Sequence, residues 1–308
     1  MVYREGLGIG AFACEYGELE RSYETLPDLD VMRAEKKIAL SLSALGCATF
    51  AQMTGRLEDA IKRCVAKTLD KAGVRAADVD HILFATSDNH LFNIHDDFTR
   101  EILLDLELSN AVPTLLSMRQ CVSSLAALDL AHRLLDDPDA VNAVVVAFDI
   151  VSSDADRLQS FALFGDAVAS CLVTRGVPGL LVLESHRGGV DRDGLRGRDN
   201  FESRKRIASA VLSAALAAAG IGVDAVEACF TTNFFKPITL FNANICGIPS
   251  RRLAVPTLQR RAHCGNCDWM MNLAEYADNP GLVPGAKYLA LAFAPGFAAC
   301  AVLTARGK

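Results

Sequence analysis

Residues Val144–Asp149 read VVVAFD and residues Leu289–Ala294 read LALAFA. Two apolar runs of the same shape, about 145 residues apart in a chain of 308, carry the fold because their neighbours repeat with them. Upstream of the first run, Ala72-Gly73-Val74, Asp78-Val79-Asp80 and Ile82–Thr86 (ILFAT) make one unit: a helix closing on glycine, an acidic turn, and an apolar strand ending in threonine. Ala219-Gly220-Ile221, Asp224–Glu227 and Cys229–Thr232 (CFTT) repeat that unit at an offset of about 147. Downstream, Ala167–Val173 (AVASCLV) matches Phe297–Leu303 (FAACAVL) at about 130, the shortfall reflecting extra residues between Ile150 and Asp166 in the first half. A period this long means two similar α/β halves, 1–174 and 175–308, related by a pseudo-twofold, rather than a solenoid.

The strand runs are continuously apolar rather than alternating, as expected of strands buried on both faces. Helical stretches separate them at Leu57–Ala72, Ser123–Leu135, Ser203–Ala219 and Trp269–Tyr276. The pattern predicts a layered α/β/α/β/α sandwich, two mixed sheets sharing core helices. No Pro/Gly/Ser-rich linker divides the halves, so they should pack as one unit.

Composition narrows the function classes. Half of the residues are hydrophobic (51%), enough for a large core, and the net charge of −6 argues against nucleic-acid binding. Ten cysteines without a spacing framework, no secretory signal over Met1–Gly10 and no apolar stretch of membrane-spanning length predict a cytoplasmic protein with reduced thiols. Gly6-Leu-Gly8-Ile-Gly10 mimics a dinucleotide fingerprint, but no amphipathic helix comes after it, and it is read as the first strand.

One cysteine stands apart. The strand-like Val112–Met118 delivers Cys121 to the start of a helix with Leu125, Leu128 and Leu135 on its apolar face. Such a terminus collects unpaired N–H groups and the positive end of the helix dipole, which favour a thiolate or a neighbouring oxyanion. Cys171, Cys229 and Cys300 instead lie inside strand runs. Counting from Ala72 and Ala219 puts the segments around Cys121 and Cys267 in matching places.

Cys121 in this setting, Phe164-Gly165-Asp166-Ala167 (FGDA), Cys264-Gly265-Asn266 and Ala294-Pro295-Gly296-Phe297 together resemble 3-ketoacyl-(acyl-carrier-protein) synthase III and its relatives in the thiolase superfamily. The resemblance implies a thiolase-like fold, a Cys121 acyl-enzyme, a homodimer, and no metal or redox cofactor beyond an acyl-coenzyme A or acyl-carrier-protein substrate. It implies that Asn266 binds the thioester carbonyl or an enolate, and that the Gly296 N–H joins that of Cys121 in an oxyanion hole. In condensing members a histidine promotes decarboxylation of malonyl thioesters. Here that place reads Thr231-Thr232-Asn233-Phe234-Phe235, with Thr232 or Asn233 in its stead, and losing one such donor typically costs roughly 10²–10³ in rate. His263, five residues before Asp268, instead resembles the branch that transfers acyl groups to oxygen or nitrogen, with His263 as general base and Asp268 orienting it.

The expectation is therefore a ping-pong acyltransferase of specialised metabolism acting on a small-molecule or carrier-bound acceptor, with Asp268 or Asn266 orienting His263. A condensing enzyme in which Asn233 and Asn266 share the missing histidine's work, and a non-catalytic partner of an active paralogue, are the rivals. Arg251 and Arg252, with Arg260 and Arg261, form a basic stretch suited to docking anionic coenzyme A or a carrier protein. His90 and His95 read as solvated loop residues. Cys264 and Cys267 form a CxxC without the further ligands of a zinc site, read as a chance pair near the mouth of the site.

Overall fold

The buried strands sort their side chains between two layers at every step. In Asn142–Asp149, Ala143, Val145 and Ala147 pack into a central apolar cluster while Val144, Val146 and Phe148 enter a second. In Lys287–Ala294, Tyr288, Ala290 and Ala292 share that central cluster while Leu289, Leu291 and Phe293 enter a third. Period-two alternation with apolar residues on both faces is what a strand sandwiched between helices requires.

The computed structural model describes residues 7–87, 97–175, 181–197 and 201–306. Its main strands are β1 (Gly8–Tyr16), β2 (His81–Ala85), β3 (Val112–Leu116), β4 (Asn142–Asp149), β5 (Ala167–Thr174), β6 (Leu181–Val190), β7 (Val226–Thr231), β8 (Leu253–Ala254), β9 (Lys287–Ala294) and β10 (Phe297–Ala305). They run in the order β8-β7-β9-β10-β6-β1-β5-β4-β2-β3. Read outward from the centre, β1-β5-β4-β2-β3 mirrors β6-β10-β9-β7-β8. The repeats pair as the sequence has them: ILFAT with CFTT as β2 and β7, VVVAFD with LALAFA as β4 and β9, and AVASCLV with FAACAVL as β5 and β10. The expected two sheets are hydrogen-bonded into one of ten strands, because β1 and β6 pair antiparallel through Gly8 with Val182 and Ile9 with Leu181.

Two helices, α3 (Ser123–Leu134) and α6 (Asp268–Tyr276), fill the space between the halves and contribute Leu125, Leu128, Trp269 and Met270 to the central cluster. Outside the first half lie α1 (Leu57–Ala72) and α2 (Asp97–Asp105); outside the second lie α4 (Phe201–Ala218) and α5 (Lys236–Ile245). The five layers are thus α/β/α/β/α. Helix α1 forms because Leu57, Ala60, Ile61, Cys64, Val65 and Leu69 recur on one face, and Gly73, at φ 65°, ends it in the left-handed conformation that spares glycine a Cβ clash. Among the described residues no helix is long and apolar enough to cross a membrane.

Candidate active site

Each core helix is entered through a short 3-10 turn, Gln120–Val122 before α3 and Gly265–Cys267 before α6, and the two turns touch across the pseudo-twofold. Each turn opens on a left-handed residue, Gln120 at φ 50° and Gly265 at φ 58°. Glycine is required at 265, where a Cβ would stand 1.9 Å from Asp149 Oδ2. Gln120 has no such freedom, so the residue before Cys121 holds a sparsely populated conformation of the kind that clusters at functional sites. The half-buried Cys121 therefore sits in the first turn before α3, where N–H groups lack intrahelical partners.

Across the gap, His263 Nε2 lies 3.6 Å from Cys121 Sγ, and its Nδ1 meets Asp268 Oδ2 at 2.5 Å. The His263 backbone is clamped by the FGDA segment: its N–H donates to Leu163 O at 2.8 Å and its carbonyl accepts from Gly165 N–H at 3.0 Å. A Cβ on Gly165 would come within 2.4 Å of Arg261 O, which explains the glycine in FGDA. Phe161, Phe164 and Phe234 surround the imidazole with ring centroids 6.5, 4.6 and 5.6 Å away, and His263 is fully buried. Burial alone would lower its pKa, but the charges of Asp268 and Cys121 and their hydrogen bonds outweigh it and push the imidazole up to about 10. The ring thus holds a proton tightly while both partners are charged.

Asp268 is held from three directions. Oδ2 also accepts from Asn233 N–H at 2.7 Å, and Oδ1 accepts from Cys264 N–H at 2.8 Å. A carboxylate that finds only donors around it is fixed in direction and keeps His263 Nδ1 protonated, leaving Nε2 toward Cys121.

The two asparagines stand differently from the sequence reading. The side chain of Asn266 accepts from Ser124 N–H at 2.9 Å and donates to Asp149 Oδ2 at 3.1 Å. It caps the helix after Cys121. The side chain of Asn233 donates to Thr257 Oγ1 and Ala262 O at 2.9 and 3.0 Å and accepts from Asn272 at 2.9 Å. Its bond to Ala262 O steadies a residue at φ 60°, ψ −147°, directly before His263. Thr232 Oγ1 accepts from Phe293 N–H at 3.2 Å. The Asn233 carboxamide is therefore fully engaged by Thr257, Ala262 and Asn272, and the Thr232 hydroxyl is engaged by the Phe293 backbone.

Cys121 opens into a cavity of about 270 Å³ lined by Phe161, Phe164, Phe234, Ile238 and Phe293 on its apolar side. Gly296, at φ 75°, lines the same cavity, and a Cβ there would fall 2.8 Å from Leu195 N. Arg251 and Arg252 do not line it. Arg252 spends its guanidinium on Val223 O and Asp224 O at 2.6 and 2.7 Å, while Arg251 is exposed. Arg204 of α4 lies on the cavity wall. Cys264 and Cys267 are fully buried rather than at the mouth, their thiols directed to Arg261 O and to Ala147 O and Ala167 O, and burial pushes both far above the usual thiol range. His90 and His95 lie outside the described residues.

Sequence reasoning missed the supports. Asp149 Oδ1 takes Thr86 and Ser87, and its Oδ2 takes the Asn266 N–H at 2.6 Å, so one buried carboxylate ties β2, β4 and the second turn together. Its signal was an acid ending the apolar run VVVAFD.

Residues 117–189, the stretch carrying Cys121 and FGDA, match the family model of 3-oxoacyl-[acyl-carrier-protein (ACP)] synthase III. The chain has the fold of solved synthase III structures, and this segment is similar to the family's model. Among solved structures, the acyltransferase ChlB3 superposes with a TM-score of 0.83 at 19% identity, covering 98% of each chain. Cerulenin-bound OleA of Xanthomonas campestris gives 0.84 at 13%, covering 99% of this chain and 100% of that one. The 3-oxoacyl-[acyl-carrier-protein] synthase III of Aquifex aeolicus gives 0.80 at 17%, covering 97% and 100%. No curated protein matches by sequence.

Proposed function

We propose that the chain is a cysteine-dependent acyltransferase that moves an acyl group from a coenzyme A or carrier-protein thioester to an oxygen or nitrogen acceptor. Cys121 Sγ attacks the thioester carbonyl as a thiolate, its proton already resting on His263 Nε2. The tetrahedral adduct, its oxyanion on the Cys121 and Gly296 N–H groups, collapses by expelling the donor thiolate, which takes that proton and leaves as a thiol. The acceptor O–H or N–H then attacks the acyl-enzyme as Nε2 removes its proton. Collapse expels Cys121 as a thiolate beside the imidazolium, which restores the starting pair. Asp268 holds the ring in one tautomer throughout. The chemistry needs neither metal nor redox cofactor.

The observation that carries this reading is the contact chain from Cys121 through His263 to Asp268, beside an Asn233 whose amide is spent elsewhere. A base on the nucleophile suits heteroatom transfer, whereas carbanion support would need free donors facing the thioester. For assembly we propose a homodimer, supported by the edge strand β3, which exposes Val112 and Leu115 beside Met118. The test is intact-protein mass after incubation with acyl-coenzyme A and acyl-carrier thioesters, alongside Cys121→Ala. An acyl adduct that the variant lacks, discharged by alcohols or amines, supports the reading. Absence of adduct with every donor refutes it.

A further inference from the structure

The residue before the base is held in a conformation that an alanine does not choose. Ala262 is fully buried at φ 60°, ψ −147°, a region of backbone space that belongs essentially to glycine. Its peptide bond to His263 is gripped from both sides. The Ala262 carbonyl accepts from Asn233 Nδ2 at 3.0 Å, and the His263 N–H donates to Leu163 O at 2.8 Å. Behind Asn233 stands Asn272, one turn beyond Asp268 on α6. Asn272 Nδ2 donates to Asn233 Oδ1 at 2.9 Å, Asn233 Nδ2 donates to Thr257 Oγ1 at 2.9 Å, and the Thr257 hydroxyl donates back to Asn272 Oδ1 at 2.7 Å. This ring runs in one sense only, because the Thr257 N–H, 3.2 Å from Asn272 Oδ1, can do nothing but donate. The other Nδ2 proton of Asn272 goes to Thr231 O at 3.1 Å, so every hydrogen-bonding position of its amide is filled. All three residues of the ring are buried, and a fully satisfied buried network is rigid.

We propose that Asn272 is a positioning residue for His263: through Asn233 it holds the Ala262 carbonyl, and with it the strained turn that aims Nε2 at Cys121. The inference rests on His263 acting as the base proposed above. Asn272 itself does not line the cavity. Without it, Asn233 loses the bond that fixes its amide, and Ala262 relaxes toward an ordinary conformation that turns the imidazole away. A glycine at 262 has no such reason to relax, since the same φ and ψ strain it little. The two substitutions should therefore cancel at Cys121, which a mere loss of core packing would not allow.

The probe is iodoacetamide, which reads the Cys121–His263 pair without any acyl donor. The rate followed, from about pH 5 to 10, is that of the intact-mass adduct absent from Cys121→Ala. His263→Gln supplies the profile of Cys121 without its base. Asn272→Ala, confirmed folded by thermal melting, is expected to alkylate about 10–100-fold more slowly at about pH 6.5, the factor that the strain of such a residue corresponds to, and to take on the His263→Gln profile. Adding Ala262→Gly should restore the wild-type profile and bring the rate back to within about threefold. Asn272→Ser, which keeps a hydroxyl in the ring, serves if the alanine variant does not fold, and should show a smaller shift of the same kind. A wild-type profile in the folded Asn272 variant overturns the proposal, as does a defect that Ala262→Gly leaves in place. A His263→Gln profile matching the wild type's removes the base, and the inference falls with it. Shifted and rescued profiles in a protein that takes no acyl group from any thioester keep this inference and refute the transferase reading.

Discussion

Replacing Asp268 by asparagine preserves shape and removes charge, and the surrounding donors dictate the consequence. The carboxylate meets three of them: His263 Nδ1 and Asn233 N–H on Oδ2, and Cys264 N–H on Oδ1. A carboxamide must turn its NH₂ toward one side. Turned to Cys264, it opposes a buried N–H, at a cost of about 1–3 kcal/mol in stability. Turned to His263, it also opposes Asn233 N–H and draws the ring proton to Nε2, where the base can no longer accept. Even the better orientation strips the charge that outweighs burial and holds the imidazole up near 10. Losing a large part of that support weakens proton capture by on the order of 3 kcal/mol, roughly 10²-fold, and a misplaced tautomer in comparable buried Asp–His pairs costs about 10⁴-fold. Asp268→Asn should therefore slow acyl-enzyme discharge by about 10²–10⁴. The assay loads Cys121 from the best N-acetylcysteamine thioester and tracks loss of the adduct mass with water or with hydroxylamine, whose stronger nucleophilicity should shrink the defect. The His263→Gln, Asp268→Asn pair should be no slower than His263→Gln alone, since both act through one ring. Discharge at the wild-type rate by a folded Asp268→Asn protein would refute the assignment of Asp268 to the base.

Three further outcomes are expected. Because the folded-state pKa of His263 is raised, its pairing stabilises the fold fully below about pH 6.5 and the benefit fades as pH rises toward 10; melting curves of wild type and His263→Gln should converge over that window, and parallel curves would contradict the charged pair. The buried thiols add a slope of the same sign to both proteins, which cancels in the difference. Gly265→Ala should destabilise by more than about 3 kcal/mol in urea titration, combining positive φ with a Cβ 1.9 Å from Asp149 Oδ2, whereas Gly73→Ala, with nothing within 4 Å, should cost about 1 kcal/mol. Wild type should release no CO₂ from malonyl thioesters above the Cys121→Ala background; release would restore Asn233 and Asn266 as carbanion supports.

Legibility in the sequence depends on how far away the determinants of each feature lie. Strand and helix positions depend on local periodicity, so α1 is read at its observed bounds, and α3, α4 and α6 lie within two residues of the expected stretches. Side-chain direction depends on partners far along the chain. Nothing near Asn266 reveals that Ser124 and Asp149 would claim its amide, and nothing near Asn233 reveals Thr257 and Asn272. Helix α5 was missed because its apolar residues are interrupted by Asn242 and Asn244, one of them facing the cavity.

The register of the repeat carries the deepest consequence. Counting along the chain pairs Cys121 with Cys267, but the left-handed residues Gln120 and Gly265 pair Cys121 with Asn266 and Ser123 with Asp268, one place away. Equivalent turns have thus taken different tasks. The first presents a nucleophile. The second caps the first half's helix through Asn266 and, two residues later, holds the base through Asp268. A contact chain that starts in one half and ends in the other cannot survive their separation. The halves share the α3 and α6 core, so any change that shifts one helix against the other must also change the 3.6 Å between Cys121 and His263. Packing mutations in the central cluster should therefore reduce acylation before they unfold the protein, whereas equal losses of apolar area beneath α1 should lower stability and leave acylation intact.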